Sequence, residues 1–253
     1  MDIGQGQFRR INAADLLAST GVQTAPSLGS CTLQQFQYED FFNSVFSDSG
    51  NPIPQQGIDA GPALRVMGPR GSKQIPRSSP QSVGAYEAML GGIEIGGPSL
   101  PDFLDPGVYT FDNGAGGTDV GPFNTQLILP SNLMWTNRDT LPGIIPRNQP
   151  LHITWGGADG AKEFVFILGT SANPASGSGV SFSCGVNAGL GSFNVPARIL
   201  SALPASGQAP EGPVGFLLVG KGPLRTASST AITNVHIAYQ SYLFGNLINT
   251  NYQ

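Results

Sequence analysis

The sequence predicts an all-β protein: two tandem β-sandwich units of the immunoglobulin-like kind, with little helix. Three observations carry this. Short runs rich in Val, Ile, Phe, Tyr and Thr recur along the chain, and Gly and Pro clusters separate them, which is the punctuation of sandwiches. Glycine and proline are abundant, 35 and 21 of 253 residues, so the backbone can turn often. Hydrophobic residues make up 40% and charged residues only 11%. The core is therefore adequate, while the surface must be covered by Ser, Thr, Asn, Gln and Gly, since a soluble domain ordinarily carries roughly 25% charge.

The elements follow in order. "NAADLLAST" (12–20) has an Asn cap and Ala/Leu content and predicts a short helix. "SCTLQQFQY" (30–38), "PALRVMG" (62–68), "AYEAML" (85–90), "GVYTFDN" (107–113) and "FNTQLILP" (123–130) read as strands, and "GPRG" (68–71) as a hairpin turn. In the second half "PLHITW" (150–155) alternates Leu151, Ile153 and Trp155 against His152 and Thr154. "EFVFILGTS" (163–171) is nearly all apolar, as in a strand buried on both faces. "GVSFSCGVN" (179–187), "GSFNVP" (191–196), "VGFLLVG" (214–220) and "NVHIAYQSYLF" (234–244) complete the strands, and "PARILSALP" (196–204) predicts about two helical turns between prolines. The polar, proline-flanked stretch "PSNLMWTNRD" (130–139) marks the joint. It divides the chain into an N-terminal β-sandwich unit with an N-terminal arm, 1–133, and a C-terminal immunoglobulin-like sandwich, 134–253; such domains run to about 100 residues.

Net charge is −4, which offers nucleic acid no electrostatic support. Residues 1–133 hold twelve acids and six bases (−6); residues 134–253 hold four and six (+2). Opposite signs would help the halves, or successive copies, to meet; chance at low charge density also accounts for them. No run of about 18 apolar residues is present, so no membrane-spanning segment is expected. Met1–Gly21 lacks the apolar core of a signal peptide, so an exported chain would be a mature or excised piece.

The motifs of catalysis are missing. No GxSxG occurs; "ASGSGV" (175–180) lacks the first glycine. His152 and His236 are the only histidines, both on the polar phase of their strands, and no HExxH exists. Asp59, Glu87, Glu94, Asp102, Asp105, Asp112 and Asp119 supply carboxylates for a glycosidase-like pair, but turn chemistry explains most of them. The expectation is a protein that is not an enzyme. Cys31 and Cys184 have no Cys/His neighbours, which excludes a zinc site. Val180, Phe182, Cys184 and Val186 alternate on one face, so Cys184 points inward, either as a buried thiol or as half of a Cys31–Cys184 disulfide; spacing leaves both open.

"DPGVYTFDNGAGGTDVGPFNTQLILP" (105–130) holds the most suggestive loop. Between Gly107 and Pro130 there is no Lys or Arg, and Asp112 and Asp119 would repel a phosphate. Calcium suits the charge better: Asp112, Asn113 and Asp119, with glycine carbonyls, would supply some of its 6–8 oxygens. The plain reading is a connection between two strands, with Gly114, Gly116 and Gly117 at positive φ. Among aromatic residues Trp155 belongs to the core. Trp135, at the joint, either locks the units or offers a face for glycan stacking, with Tyr109, Tyr239 and Tyr242 as further candidates.

Four phrases, "LDPGVYTFDNGAGGTDVGPF", "LMWTNRDTLPGIIPRNQPLHITWGG", "FSCGVNAGLGSFNVPARILSALP" and "NVHIAYQSYLFG", with "CTLQQF" and "DAGPALRVMGPRGSKQ" before them, resemble a group of uncharacterised secreted acidobacterial proteins that carry immunoglobulin-like β modules. The resemblance covers most of residues 31–253. It implies export and an all-β build, and it transfers no catalytic or ligand residue.

Composition, pattern and resemblance converge on an extracellular or cell-surface structural or adhesive protein, a self-assembling subunit of a surface layer or filament. Homo-oligomers would form through terminal arms, the segment before Cys31 and the tail "NLINTNYQ" (246–253), by adding strands to a neighbour's sheet edge. The alternative is a carbohydrate-binding module with Trp135 as platform and a calcium-ordered loop at Asp112, Asn113 and Asp119. Apart from that calcium no cofactor is expected.

Overall fold

The computed structural model describes residues 2–10, 26–38, 56–93, 99–209, 212–224, 227–228 and 239–253. The helix expected at 12–20, Glu94, His236 and residues 234–238 of the expected strand at 234–244 lie outside them. The fold is all-β. Strands of four or more residues are, in chain order, β1 (Asp2–Gln7), β2 (Ser30–Gln37), β3 (Ala63–Gly68), β4 (Gly71–Pro76), β5 (Ala85–Ile93), β6 (Gly107–Asp112), β7 (Asn124–Leu129), β8 (Leu151–Gly156), β9 (Glu163–Asn173), β10 (Ser178–Asn187), β11 (Ser192–Val195), β12 (Gly215–Pro223) and β13 (Phe244–Asn249).

The chain forms two compact units. Unit 1 is Met1–Thr20, Pro52–Ser131 and Thr226–Ser241; unit 2 is Gly21–Asn51, Asn132–Arg225 and Tyr242–Gln253. One boundary falls beside the joint read from the sequence. However, 1–133 and 134–253 are not the two units, because each unit takes residues from both halves. The physical reason for one exchange is visible: β2 lies against β10 and is bonded to it through Cys31 and Cys184.

In unit 1 an antiparallel sheet runs in the order β7–β6–β3–β4. The β3–β4 hairpin closes between Gly68 and Gly71, as "GPRG" predicts. The alternation of β3 buries Leu64 and Val66 and leaves Arg65 and Met67 outside; Ile75, Tyr86, Leu90, Phe103 and Tyr109 complete the inner face. The Tyr109 hydroxyl accepts from the Asp105 amide and donates to the Phe103 carbonyl, pinning the turn that precedes β6.

The sequence reading finds no strand before residue 30, yet β1 pairs with β5 along its whole length. Its inward residues are glycines, so no apolar period announces it. The glycines are there because neighbours come close: a Cβ on Gly4 would meet the end of Ile75 at 2.7 Å, and one on Gly6 would overlap Leu64.

In unit 2 the sheet order is β10–β9–β12–β13, all antiparallel, and β8 pairs with β11 and with Met134–Trp135. The core comprises Ile153, Trp155, Val165, Ile167, Phe182, Val186, Leu217, Val219 and their neighbours; each such side chain contributes about 1.5–3 kcal/mol on burial. "PARILSALP" yields a single turn, Ala197–Leu200, entered from Pro196. The tail is not loose. β13 extends the sheet, and Asn251–Tyr252 pairs in parallel with Ile144–Ile145, placing Tyr252 fully inside. The described strands of both terminal arms inferred from the sequence, Asp2–Gln7 at one end and Phe244–Asn249 and Asn251–Tyr252 at the other, are thus paired within the folded chain.

Candidate functional site

The glycine loop connects two neighbouring strands: β6 and β7 pair residue by residue from Asn124 opposite Asp112 to Leu129 opposite Gly107. Gly114 and Gly116 take φ values of 62° and 87°, which only glycine adopts without strain. Gly117 does not share that conformation. It is glycine because a Cβ would overlap the backbone of Asp59 and Gly61.

The three oxygen-bearing residues singled out for calcium do separate jobs. Asp112 accepts from Arg65 Nε at 2.9 Å and from the Gly114 amide at 3.1 Å. Asn113 donates through Nδ2 to the Ala60 and Gly121 carbonyls and accepts the Phe123 amide on Oδ1 at 2.8 Å. Asp119 accepts the Asp59 amide at 2.8 Å. Among the described residues no group of three His, Cys, Asp or Glu side chains forms a metal cluster.

The centre of this region is Asp59, which the sequence offers as a turn residue and as one of the candidate carboxylates. One carboxylate oxygen accepts the Gly61 amide at 2.9 Å and pairs with the Arg77 guanidinium; the other accepts the Thr118 amide and hydroxyl, each at 3.0 Å. The Thr118 and Gly61 amides above all, then the Thr118 hydroxyl and Arg77, hold its acidity at about 2 against the opposing effect of burial. Asp59, Pro62, Arg77, Gly116 and Thr118 line a depression of 480 Å³. Asp105 is tied to Arg70 in the same manner, Nη2 to Oδ1 at 3.0 Å, which holds its carboxyl below the usual range. Three of the acids weighed as glycosidase candidates, Asp59, Asp105 and Asp112, are therefore arginine partners; Asp112 and Arg65 face each other across neighbouring strands.

In unit 2 Trp135 stands directly opposite Trp155 across the β-ladder, and the two are 7% and 5% exposed. Its indole N–H donates to Asn137 Oδ1 at 3.1 Å. It fills the core of unit 2 and presents no free face for a sugar. His152 is exposed, with Nδ1 2.8 Å from Asn194 Oδ1. Cys31 and Cys184 form a disulfide across 153 residues of sequence.

Sequence reasoning missed the most buried charges among the described residues. Glu163 and Lys221 are 2% and 0% exposed and form an ion pair at 2.9 Å. Glu163 also accepts the Asp159 amide at 2.7 Å and the Tyr242 hydroxyl at 2.8 Å. Burial first, and then the bond to Glu163, push the pKa of the Tyr242 hydroxyl far above its ordinary value, so it stays protonated and acts as a donor. A lysine in the apolar run "VGFLLVGKG" was the available signal.

No protein-family model matches the chain, and no curated protein matches it either.

Proposed function

We propose that the chain is a non-enzymatic extracellular protein with a structural or adhesive role, a self-assembling subunit of a surface layer or appendage. The observation that carries the reading is the Cys31–Cys184 disulfide within an all-β unit, because such bonds persist in oxidising compartments. The low charge of the surface supports it. So does an apolar patch on the outer face of unit 1: Val108 and Ile128 are cross-strand partners, 51% and 69% exposed, with Met67, 54% exposed, on the next strand. Among the described residues β7, which carries Ile128, ends its sheet, and exposed apolar groups beside a sheet edge mark contact surfaces. The immunoglobulin-like build and the kinship with secreted acidobacterial proteins belong to the same proposal.

Light scattering and electron microscopy of the same native sample test it. Assemblies larger than a monomer are expected, and Ile128→Lys is expected to reduce them. A wild-type chain that stays monomeric at every concentration overturns the assembly reading, and free cysteine thiols in protein taken from its native source overturn the extracellular one.

A further inference from the structure

The buried amine and carboxyl of unit 2 have no part in the surface role, and the inference drawn from them stands apart from it. The register of β9 and β12 sets Val165 opposite Lys221 and Glu163 opposite Pro223, so Lys221 and Glu163 are diagonal neighbours on the core-facing side of the sheet. Lys221 Nζ lies 2.9 Å from Oε1 and 3.0 Å from Oε2 of Glu163. Each carboxyl oxygen has a further donor: the Tyr242 hydroxyl on Oε1 at 2.8 Å and the Asp159 amide on Oε2 at 2.7 Å. The Gly157 carbonyl accepts from Nζ at 2.7 Å and orients the amine, and the Phe244 ring lies 5.7 Å from it. A nucleophile, an electrophile, donors for the oxygen that gains charge, and near-complete exclusion of water therefore meet at one place.

We propose that Lys221 and Glu163 are the site of an intramolecular amide cross-link that forms spontaneously after folding and ties β9 to β12. The ammonium passes one proton to Oε2, leaving an amine and a carboxylic acid. A turn about Cγ–Cδ presents the carboxyl carbon, and the Nζ lone pair bonds to Cδ. Negative charge gathers on Oε1, where Tyr242 donates to it. A second Nζ proton passes to Oε2, the Cδ–Oε2 bond breaks, and one water leaves. Nothing is oxidised or reduced and no co-reactant is consumed. Holding the two groups in contact supplies the effective concentration that amide formation in water lacks. The product also removes two charges from a site where their desolvation is costly.

The test is the intact mass of the full wild-type chain, measured denatured and with its disulfide reduced. The expected mass is one water below that of the sequence, and tandem spectra of a digest should show the Glu163 peptide joined to the Lys221 peptide. Asp159–Gly160 can also lose a water by closing to a succinimide. Hydroxylamine cleaves the succinimide and spares the amide. Tyr242→Phe should slow the loss severalfold, and Lys221→Met should abolish it. A wild-type chain that keeps its full mass after days of incubation, or whose missing water maps to Asp159, shows an ion pair only and overturns the proposal. Either result is read on the wild-type chain and needs no variant to fold.

Discussion

Breaking the Cys31–Cys184 bond should destabilise unit 2 by a large, calculable amount. The bond closes a loop of 153 residues, and the chain-entropy relation gives about 5 kcal/mol at 25 °C for a loop of that length. If unit 1 stays folded while unit 2 opens, the flexible part of the loop is roughly halved. The value then falls by only about 0.6 kcal/mol, because the entropy depends on the logarithm of length. Unit 2 has roughly 140 residues, so its unfolding entropy is about 0.3 kcal/mol/K and the melting temperature should drop by about 15 °C. Reduction is a cleaner perturbation than mutation, since Cys184 is fully buried and a smaller side chain would add a cavity cost. The chain is reduced in denaturant, refolded with reductant present, and melted beside the oxidised form. Tryptophan fluorescence reads unit 2 alone, because Trp135 and Trp155 are the two tryptophans of the chain and both lie there. A drop below about 3 °C, equivalent to about 1 kcal/mol, would refute the argument that this link constrains the unfolded unit.

Asp59 makes the stability of unit 1 pH-dependent. Its folded-state pKa, about 2, lies below the ordinary 3.8. Its contribution is therefore fully present above about pH 4 and is lost as pH falls through 2; allowing for partial exposure it is worth about 1–2 kcal/mol. Urea unfolding of Asp59→Asn should lack that part of the acid sensitivity between pH 4 and 2, and identical slopes for variant and wild type would remove the assignment. Trp135→Ala should cost about 3–5 kcal/mol as a core truncation. A urea midpoint unchanged from wild type would show that the ring does not support the core of unit 2.

Much of the fold was legible in local pattern. Strands with an apolar period of two, such as Leu151–Gly156 and Ser178–Asn187, were readable because burial on one face selects alternate residues. The hairpin at Gly68–Gly71 was readable from turn chemistry. β1 was not, since its inward residues are glycines chosen for the space left by Ile75 and Leu64. Nor was β13, whose Gly245, Asn246 and Asn249 resemble a frayed tail until β12 provides their ladder. In the candidate sites, Asp112 ends β6 and Asn113 and Asp119 lie in the connection that follows it, but their partners lie on Arg65, Ala60 and Asp59, far back in the chain.

By itself the sequence determined the all-β class, the inward position of Cys184 and the low charge of the surface, because composition and short-range periodicity act through the nearest few residues. Only the tertiary structure decided how segments are shared between the two units, that Cys31 meets Cys184, that Trp135 is core, and that Lys221 lies against Glu163. Those facts depend on strand register over separations of 58 and 153 residues. Contacts at such range are set by which apolar faces close together, and no local preference encodes them.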